Sequence, residues 1–340
     1  MINFGIIGPG NIANRFADSL QNFSQANLYA VAARNIDKAR VFQAKHPSNK
    51  VFGSYQELLQ DPNIDIVYIA LPHQLHFQWS MAALDAGKAV ISEKPAALNR
   101  EQLKKIIDKA KRKNLFYTEA MKSHFQKAYQ ELKKMVTAGE IGKVKTVQTS
   151  FCRSMPEEQA TYHYQPLVGG CLLDMGIYNA AFIESFVKKP LKIESLEYKV
   201  IENKVEVYVN AALKNDSQKV ILESAFDRNK ANLATIIGDK GRIEVPNLHR
   251  PDSFTLIKDN KSKNFVFPYE KDDFHAEIKE TIDCLQKNRL ESRSMPVQDS
   301  LNSIEIIDEL KQAIAEKKNR FTYFKSLIAS KIDVELPPVK

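Results

Sequence analysis

The stretch Gly5-Ile6-Ile7-Gly8-Pro9-Gly10-Asn11-Ile12-Ala13 decides the fold, because it joins an apolar strand to a helix through a glycine-rich loop. Its Gly8-x-Gly10-x-x-Ala13 spacing is that of a dinucleotide-binding loop. Glycine permits a tight turn and lets the backbone approach a pyrophosphate, while the free N–H groups of the helix N-terminus favour negative charge. We therefore predict a dinucleotide site on the loop residues, which are Gly8, Pro9, Gly10, Asn11 and Ile12.

Strand-like and helical segments alternate from this loop to about residue 120. The predicted strands are 2–7, 28–33, 64–70, 89–92 and 115–118. The predicted helices are 12–20, 36–46, 74–86 and 99–114. This order is typical of a parallel sheet with helices on both faces, an α/β Rossmann domain. The glycine loop follows the first strand of that pattern, which favours a dinucleotide site over an ordinary turn.

The pattern changes after residue 120, where long runs of alternating hydrophobicity replace the strand–helix order. The predicted strands are 193–200, 205–213, 219–226, 234–237, 242–245, 254–257 and 265–267. Hairpin turns are expected at Asn203-Lys204 and Asn215-Asp216. Further helices are predicted at 125–138, 174–187, 274–287 and 300–317. We predict an NAD(P)-binding domain over 1–122, then an α+β domain over 123–340 with a large, mostly antiparallel open sheet.

Composition excludes several classes of protein. The chain has 340 residues, enough for about two domains, and a net charge of +8 that favours anionic ligands. No apolar run reaches the roughly 18 residues of a membrane span, and the first residues do not resemble a signal peptide. Three scattered cysteines indicate free thiols in a reducing compartment, so we expect a cytoplasmic protein with no membrane partner. Basic residues over 104–113 match a solvated helix face, and no nucleic-acid partner is expected.

The end of the second predicted strand indicates the cofactor preference. NAD enzymes usually place an acid there to hold the ribose, but this chain has Ala33 followed by Arg34. Arg34 supplies a cation that can pair with a 2′-phosphate, and Lys38 adds charge one helical turn later. We predict NADP rather than NAD. The alternative is that Arg34 stacks on adenine and both cofactors are accepted.

Catalytic candidates lie after the strand at 89–92 and on the helix at 174–187. Lys94, in Glu93-Lys94-Pro95, falls at the carboxyl edge of the sheet, where it can donate to a substrate oxygen. Glu-Lys alone is a common surface pair. Asp174 and Tyr178 are four residues apart, so a helix would present both on one face.

Several separated motifs together carry a family resemblance. They are Gly8-x-Gly10-x-x-Ala13, Pro72 followed by His76, Glu93-Lys94-Pro95, the run from Gly169-Gly170 to Tyr178, Gly238-Asp239-Lys240-Gly241 and Met295-Pro296. Over about residues 2–325 the chain resembles the Gfo/Idh/MocA oxidoreductase family. Glu119-Ala120-Met121 and Asp174-x-x-x-Tyr178 most resemble its branch of trans-dihydrodiol and NADP-dependent sugar dehydrogenases. Lys122-Ser123-His124 departs from the aromatic-basic residues usual in that branch.

The resemblance implies hydride transfer between NADP and a ring alcohol or carbonyl of a sugar, polyol or trans-diol. It makes Lys94 the catalytic lysine and places Asp174 and Tyr178 in the site. The residues that it places at the cofactor are Leu71, Pro72, His73, His76, Glu93 and Lys94. A nearby ammonium lowers a phenol's pKa, so Tyr178 could take the hydroxyl proton while Lys94 holds the oxygen; alternatively, Lys94 carries the proton.

Three further expectations follow. The His73-x-x-His76 pair lacks a third ligand of suitable spacing, so no metal is expected. The resemblance implies a homodimer or a dimer of dimers formed through the exposed face of the second sheet.

Alternatives to a dehydrogenase are an NADP-binding sensor without turnover and a redox-assisted glycosidase that holds NAD. The retained Lys94, Asp174 and Tyr178 argue against the sensor, and the missing acid near Arg34 argues against the glycosidase.

Overall fold

A computed structural model describes residues 1–159, 162–201 and 205–332. Its first part is a six-stranded parallel sheet in the spatial order β3-β2-β1-β4-β5-β6. The strands are β1 (Ile2–Ile7), β2 (Ala26–Ala32), β3 (Lys50–Phe52), β4 (Ile66–Ile69), β5 (Ala89–Glu93) and β6 (Tyr117–Ala120). The helices between them are α1 (Asn11–Leu20), α2 (Ile36–Lys45), α3 (Tyr55–Gln60), α4 (His76–Asp85) and α5 (Arg100–Lys113). The predicted doubly wound Rossmann domain is confirmed.

The central strand β4 shows why this sheet needs helices on both faces. All four of its residues are buried. Ile66 and Tyr68 face the cluster that contains Phe16 of α1, whereas Val67 and Ile69 face the opposite cluster. A continuous apolar run of this kind is typical of a parallel strand that is covered on both sides.

Two elements of this domain were missed by the sequence analysis. β3 is only three residues long and pairs with a single neighbour, β2. Strands this short carry no readable alternation. α3 spans six residues, but its start has a recognisable signal, since the Ser54 hydroxyl accepts a hydrogen bond from the Glu57 N–H at 3.2 Å.

The second part is an eight-stranded sheet in the spatial order β14-β13-β12-β11-β7-β10-β9-β8. Its strands are β7 (Val144–Cys152), β8 (Lys192–Val200), β9 (Glu206–Lys214), β10 (Lys219–Ala225), β11 (Leu233–Gly238), β12 (Arg242–Pro246), β13 (Ser253–Lys258) and β14 (Lys261–Val266). All neighbours are antiparallel except β7 and β10. The predicted mostly antiparallel sheet is confirmed. The Asn215 carboxamide accepts the Gln218 N–H at 2.8 Å in the turn between β9 and β10, whereas Asn203-Lys204 lies outside the described residues.

Five helices complete the described chain. They are α6 (Lys122–Phe125), α7 (Lys127–Thr137), α8 (Ile177–Glu184), α9 (His275–Gln286) and α10 (Val297–Ile332). A π-helical segment, Leu172–Gly176, leads directly into α8, where the sequence predicts one regular helix. Every residue of α8 from Ile177 to Ile183 is buried, so this helix is fixed on all sides.

Helices α9 and α10 pack against elements of the first part of the chain. Phe274 and Ile278 pack with Phe16 in one buried cluster, and the Arg100 N–H at the start of α5 donates to Asp308 of α10 at 2.7 Å. The division between domains at residues 122 and 123 stays a prediction, as does the homodimer. Among the described residues, no helix has the length and apolarity to cross a membrane.

Gly8 provides a test of the glycine loop. Its φ is +92°, and an added Cβ would lie 2.7 Å from both the Ala70 carbonyl oxygen and Leu71 Cδ2. We expect Gly8→Ala to lower the free energy of unfolding by about 1–3 kcal/mol or more, measured by urea denaturation.

Gly10→Ala is the matched control. Gly10 has a φ of −88°, and no atom lies within 4 Å of an added Cβ. Its cost should stay below about 1 kcal/mol. Equal losses in the two variants would contradict the packing that is described for Gly8.

Candidate active site

Lys94 of the first domain meets Asp174 of the second. Lys94 follows the carboxyl end of β5, and its Nζ donates to Asp174 Oδ1 and to the Asp174 backbone oxygen, each at 2.8 Å. The two side chains are only 15% and 16% exposed. A buried ammonium therefore has two acceptors, both supplied by the π-helical segment before α8.

Buried polar groups hold the loop that follows Lys94. The two ring nitrogens of His76 lie 2.8 Å from the Pro95 carbonyl oxygen and 2.6 Å from that of Leu71. Glu119 Oε1 accepts the Ala96 N–H at 2.9 Å. His76 thus joins the loops at the ends of β4 and β5, and its side chain braces them.

The charge state of Asp174 is set by its neighbours. Burial raises its pKa, but the Lys94 ammonium, His73 and His163 together lower it by more, and the pKa is about 2. Asp174 is therefore a carboxylate throughout the neutral range, and it pairs with the ammonium form of Lys94.

Tyr178 differs from the expectation. The Lys94 ammonium lies 4.9 Å from the centre of the Tyr178 ring, so the predicted neighbourhood is present. However, burial, followed by the carboxylates of Glu93 and Asp174, raises the pKa of Tyr178 well above its usual value of 10. The expected lowering of this pKa by Lys94 is wrong in direction, because burial and the nearby acids outweigh one ammonium; which of the two residues carries the proton stays a prediction. Tyr178 is a neutral phenol at neutral pH.

Histidine and tyrosine side chains border the Lys94–Asp174 pair. His73 Nε2 lies 3.3 Å from the Tyr162 hydroxyl, and burial, then Lys94, lowers the pKa of His73 well below 6.5. The Tyr162 ring stacks on His163 with centroids 4.3 Å apart. His249 contacts the Tyr178 ring, with centroids 5.7 Å apart, and its pKa falls to about 3 through burial and Arg250. These imidazoles are neutral, so each can accept or donate a hydrogen bond.

Tyr162 and His249 were missed by the sequence analysis. Both come from irregular segments outside the motifs, and no local spacing connects them to Lys94. Isolated aromatic and histidine residues in loops do not indicate a site in the sequence. They can be recognised as one only after the fold has brought them together.

The glycine loop fits a dinucleotide. Gly8 packs against the end of β4, and Gly10 precedes α1 with open space where a Cβ would point. No side chain caps the start of α1, and its first turn contains no acidic residue, so its N–H groups are available to an anion. Pro9, Asn11 and Ile12 belong to the same loop and helix start, at the carboxyl edge of the sheet.

Arg34 and Lys38 lie where the sequence predicts them. Ala33 is buried just after β2, whereas Arg34 and Lys38 are exposed beside the end of that strand. Burial raises the pKa of Tyr55, and Arg34, which donates to its hydroxyl, opposes that rise. A cationic group therefore stands at the strand end where a ribose-binding acid would otherwise be.

In the histidine pair considered as a metal site, both ring nitrogens of His76 face carbonyl oxygens, so His76 has no nitrogen free to bind a metal. Elsewhere the structure brings ligand atoms of His124, Glu184 and Asp299 within 4.8 Å of one another. Lys133 Nζ lies 3.9 Å from Asp299 there and supplies positive charge.

Comparison with known proteins matches two family models. Residues 2–121 match "Oxidoreductase family, NAD-binding Rossmann fold", and residues 129–244 match "GFO/IDH/MocA C-terminal domain". The chain is 31% identical to trans-1,2-dihydrobenzene-1,2-diol dehydrogenase of Mus musculus, covering 92% of this chain and 97% of the relative. It is 29% identical to the scyllo-inositol 2-dehydrogenase (NADP(+)) IolU of Bacillus subtilis, with the same coverage.

A solved structure has the same architecture. KijD10, a 3-ketoreductase from Actinomadura kijaniata crystallised with NADP and TDP-benzene, superposes with a TM-score of 0.83 and is 25% identical. The match covers 92% of this chain and 97% of KijD10. Together with the dinucleotide loop and the Lys94 site, these matches show that the chain belongs to the Gfo/Idh/MocA family of oxidoreductases.

Proposed function

We propose that this protein is an NADP-dependent oxidoreductase that transfers a hydride between the nicotinamide and a ring alcohol or carbonyl of a sugar, polyol or trans-diol. The observation that carries this proposal is the Lys94 ammonium, held by Asp174 beside Tyr178 at the sheet edge that also bears the glycine loop. Two relatives named as a dihydrodiol dehydrogenase and an inositol dehydrogenase, and a solved structure named as a 3-ketoreductase, support the substrate class.

Residues of this chain would hold the dinucleotide along the carboxyl edge of the first sheet. The glycine loop and the start of α1 would take the pyrophosphate, and Arg34 with Lys38 would take the 2′-phosphate. Leu71, Pro72 and His73 lie at the end of β4, between that loop and Lys94. When bound, NADP supplies or accepts the hydride.

The proton chemistry falls to Lys94. Asp174 accepts a hydrogen bond from the Lys94 ammonium, which can donate to the oxygen of a carbonyl as that carbon is reduced. In oxidation the neutral amine form of the same nitrogen would receive the hydroxyl proton and become the ammonium. Tyr178, as a neutral phenol, contributes a hydrogen bond to the substrate oxygen. This division of roles makes Lys94 the proton carrier and Asp174 the group that orients it.

The first prediction concerns Lys94 and Tyr178. We expect Lys94→Met to lower kcat/KM by about a hundred- to ten-thousandfold, because it removes the proton donor. Tyr178→Phe should cost about tenfold to a hundredfold, the value of one hydrogen bond to a charged centre. The assay follows NADPH oxidation or NADP⁺ reduction across aldoses, polyols, trans-diols and their keto forms.

NADPH binding, followed by its fluorescence, is the control for both variants and should be retained. Larger losses from Tyr178→Phe than from Lys94→Met would assign the proton to Tyr178 instead. Tight NADPH binding by the wild type without turnover of any compound would favour a nucleotide sensor.

The second prediction concerns cofactor choice. We expect Arg34→Ala to raise the Kd of NADPH about tenfold and to leave that of NADH within about twofold, because only NADPH carries the 2′-phosphate. Arg40→Ala is the matched control, since Arg40 is an exposed arginine on α2 that pairs with Asp37. Equal effects on both cofactors would show that Arg34 acts through adenine.

The third prediction concerns pH. The pKa of Asp174 in the folded protein, about 2, lies below its usual value of 3.8, so its pairing stabilises the fold fully above about pH 4 and weakens as the pH falls towards 2. Wild type should exceed Asp174→Asn in unfolding free energy by about 1–3 kcal/mol at pH 7, because the variant leaves Lys94 unpaired. The gap should stay constant from pH 8 to 5 and shrink below pH 4 in urea titrations.

Asp85→Asn is the control for this series. Asp85 pairs with Lys109 at the surface and is 57% exposed, so its removal should change stability by less than about 1 kcal/mol at every pH. A gap for Asp174→Asn that closes near neutral pH would contradict the low pKa of Asp174.

A further inference from the structure

A second lysine lies close to the proposed site and has no function in the mechanism above. Lys122, the first residue of α6, is only 5% exposed. Its ammonium lies 4.0 Å from the centre of the Phe274 ring. Among the described residues, that ammonium donates no hydrogen bond, and no carboxylate oxygen lies within 4.0 Å of it. Burying an ammonium without an acceptor is costly, so a buried lysine is usually paired.

The nearby acids do not supply the missing acceptor. Glu93 accepts the hydroxyl of Tyr68, and Asp273 pairs with Arg15. Glu277 is fully buried, and burial, then the Glu93 carboxylate, raises its pKa well above 4.5, which favours its neutral form. These three acids act to raise the pKa of Lys122 without bonding to its ammonium. Burial acts in the opposite direction and is the larger effect, so the pKa of Lys122 is lowered.

Lys122 shares its surroundings with the catalytic residues. Its charge and that of Lys94 both lower the pKa of His249, after the larger effects of burial and Arg250. The His249 ring in turn contacts Tyr178. Asp273 and Glu277, which act on Lys122, also act on Tyr178. Glu93 of β5 and Ala120 of β6 are register partners, so Lys94 and Lys122 follow the carboxyl ends of neighbouring strands, and Lys94 contacts the Tyr178 ring.

We propose that Lys122 forms an anion subsite beside Lys94 and Tyr178 and binds a carboxylate on the substrate. This inference rests on the proposed function and narrows its substrate class to sugar acids or polyol acids. A carboxylate would give the ammonium its missing acceptor while the reacting oxygen faces Lys94. Such a charge-assisted bond is worth about tenfold to a hundredfold in affinity.

The test measures binding to the enzyme–NADPH complex by calorimetry. The probes are three pairs that differ by a carboxylate: D-glucuronate and D-glucose, D-galacturonate and D-galactose, D-gluconate and D-sorbitol. We expect an acid of at least one pair to bind ten- to a hundredfold more tightly than its neutral partner. Lys122→Met should remove that difference, whereas Lys122→Arg should keep most of it.

Lys127→Met is the matched control. Lys127 lies five residues further along, is 64% exposed and pairs with Glu131 at the surface, so its loss should not change the acid preference. Thermal unfolding of each variant separates a folding defect from a binding defect.

Three outcomes would overturn the inference. They are an absence of acid preference in all three pairs, a preference that survives in Lys122→Met, and a stability loss in Lys122→Met without change in the acid-to-neutral ratio. The last would make Lys122 a structural counter-charge for Glu93, Asp273 and Glu277. A wild type that binds no NADPH would instead overturn the proposed function, so the two failures are distinguishable.

Discussion

The contact between Lys94 and Asp174 is the constraint on which the candidate site depends. Each residue would be a mostly buried, unpaired charge without the other, and such a charge is strongly destabilising. Lys94 belongs to the first sheet, and Asp174 to the segment before α8. The ion pair therefore requires that both parts of the chain dock in one arrangement.

The surroundings of the pair limit where each partner can go. His76 and Glu119 hold the loop after Lys94 through backbone groups of Pro95 and Ala96. On the other side, Asp174 lies in a π-helical segment that continues into α8, which is buried from Ile177 to Ile183. Such segments often occur at functional sites, because they redirect one side chain without ending the helix. Rigid elements on both sides thus fix the Lys94–Asp174 distance.

Local patterns predicted the first domain well, since its strands, loop and helix starts lie within about ten residues of one another. The positions of the glycine loop, Arg34 and Lys94 at the carboxyl ends of their strands could all be predicted in this way. β3 was too short to show alternation, and the π-helical turn at Leu172–Gly176 has no sequence signal of its own. The predicted direction of the Tyr178 pKa shift was wrong, because the shift depends on burial and on acids that are distant in sequence. Glu277, for example, lies 99 positions further along the chain.

This difference explains why a cofactor site can be predicted from sequence more readily than a substrate site. A dinucleotide is held largely by backbone groups of one strand–helix unit, so its determinants are adjacent in sequence. The proposed substrate side would be assembled from Tyr162, Tyr178 and His249, together with Lys122 and Phe274, which come from five separate segments. The protonation states of these side chains depend on which charged groups are buried close to one another. Among them, Asp174 is fully ionised and already paired with Lys94, whereas Lys122 has no such partner. The different functions that we propose for the two lysines therefore rest on their neighbours, although they are identical in residue type.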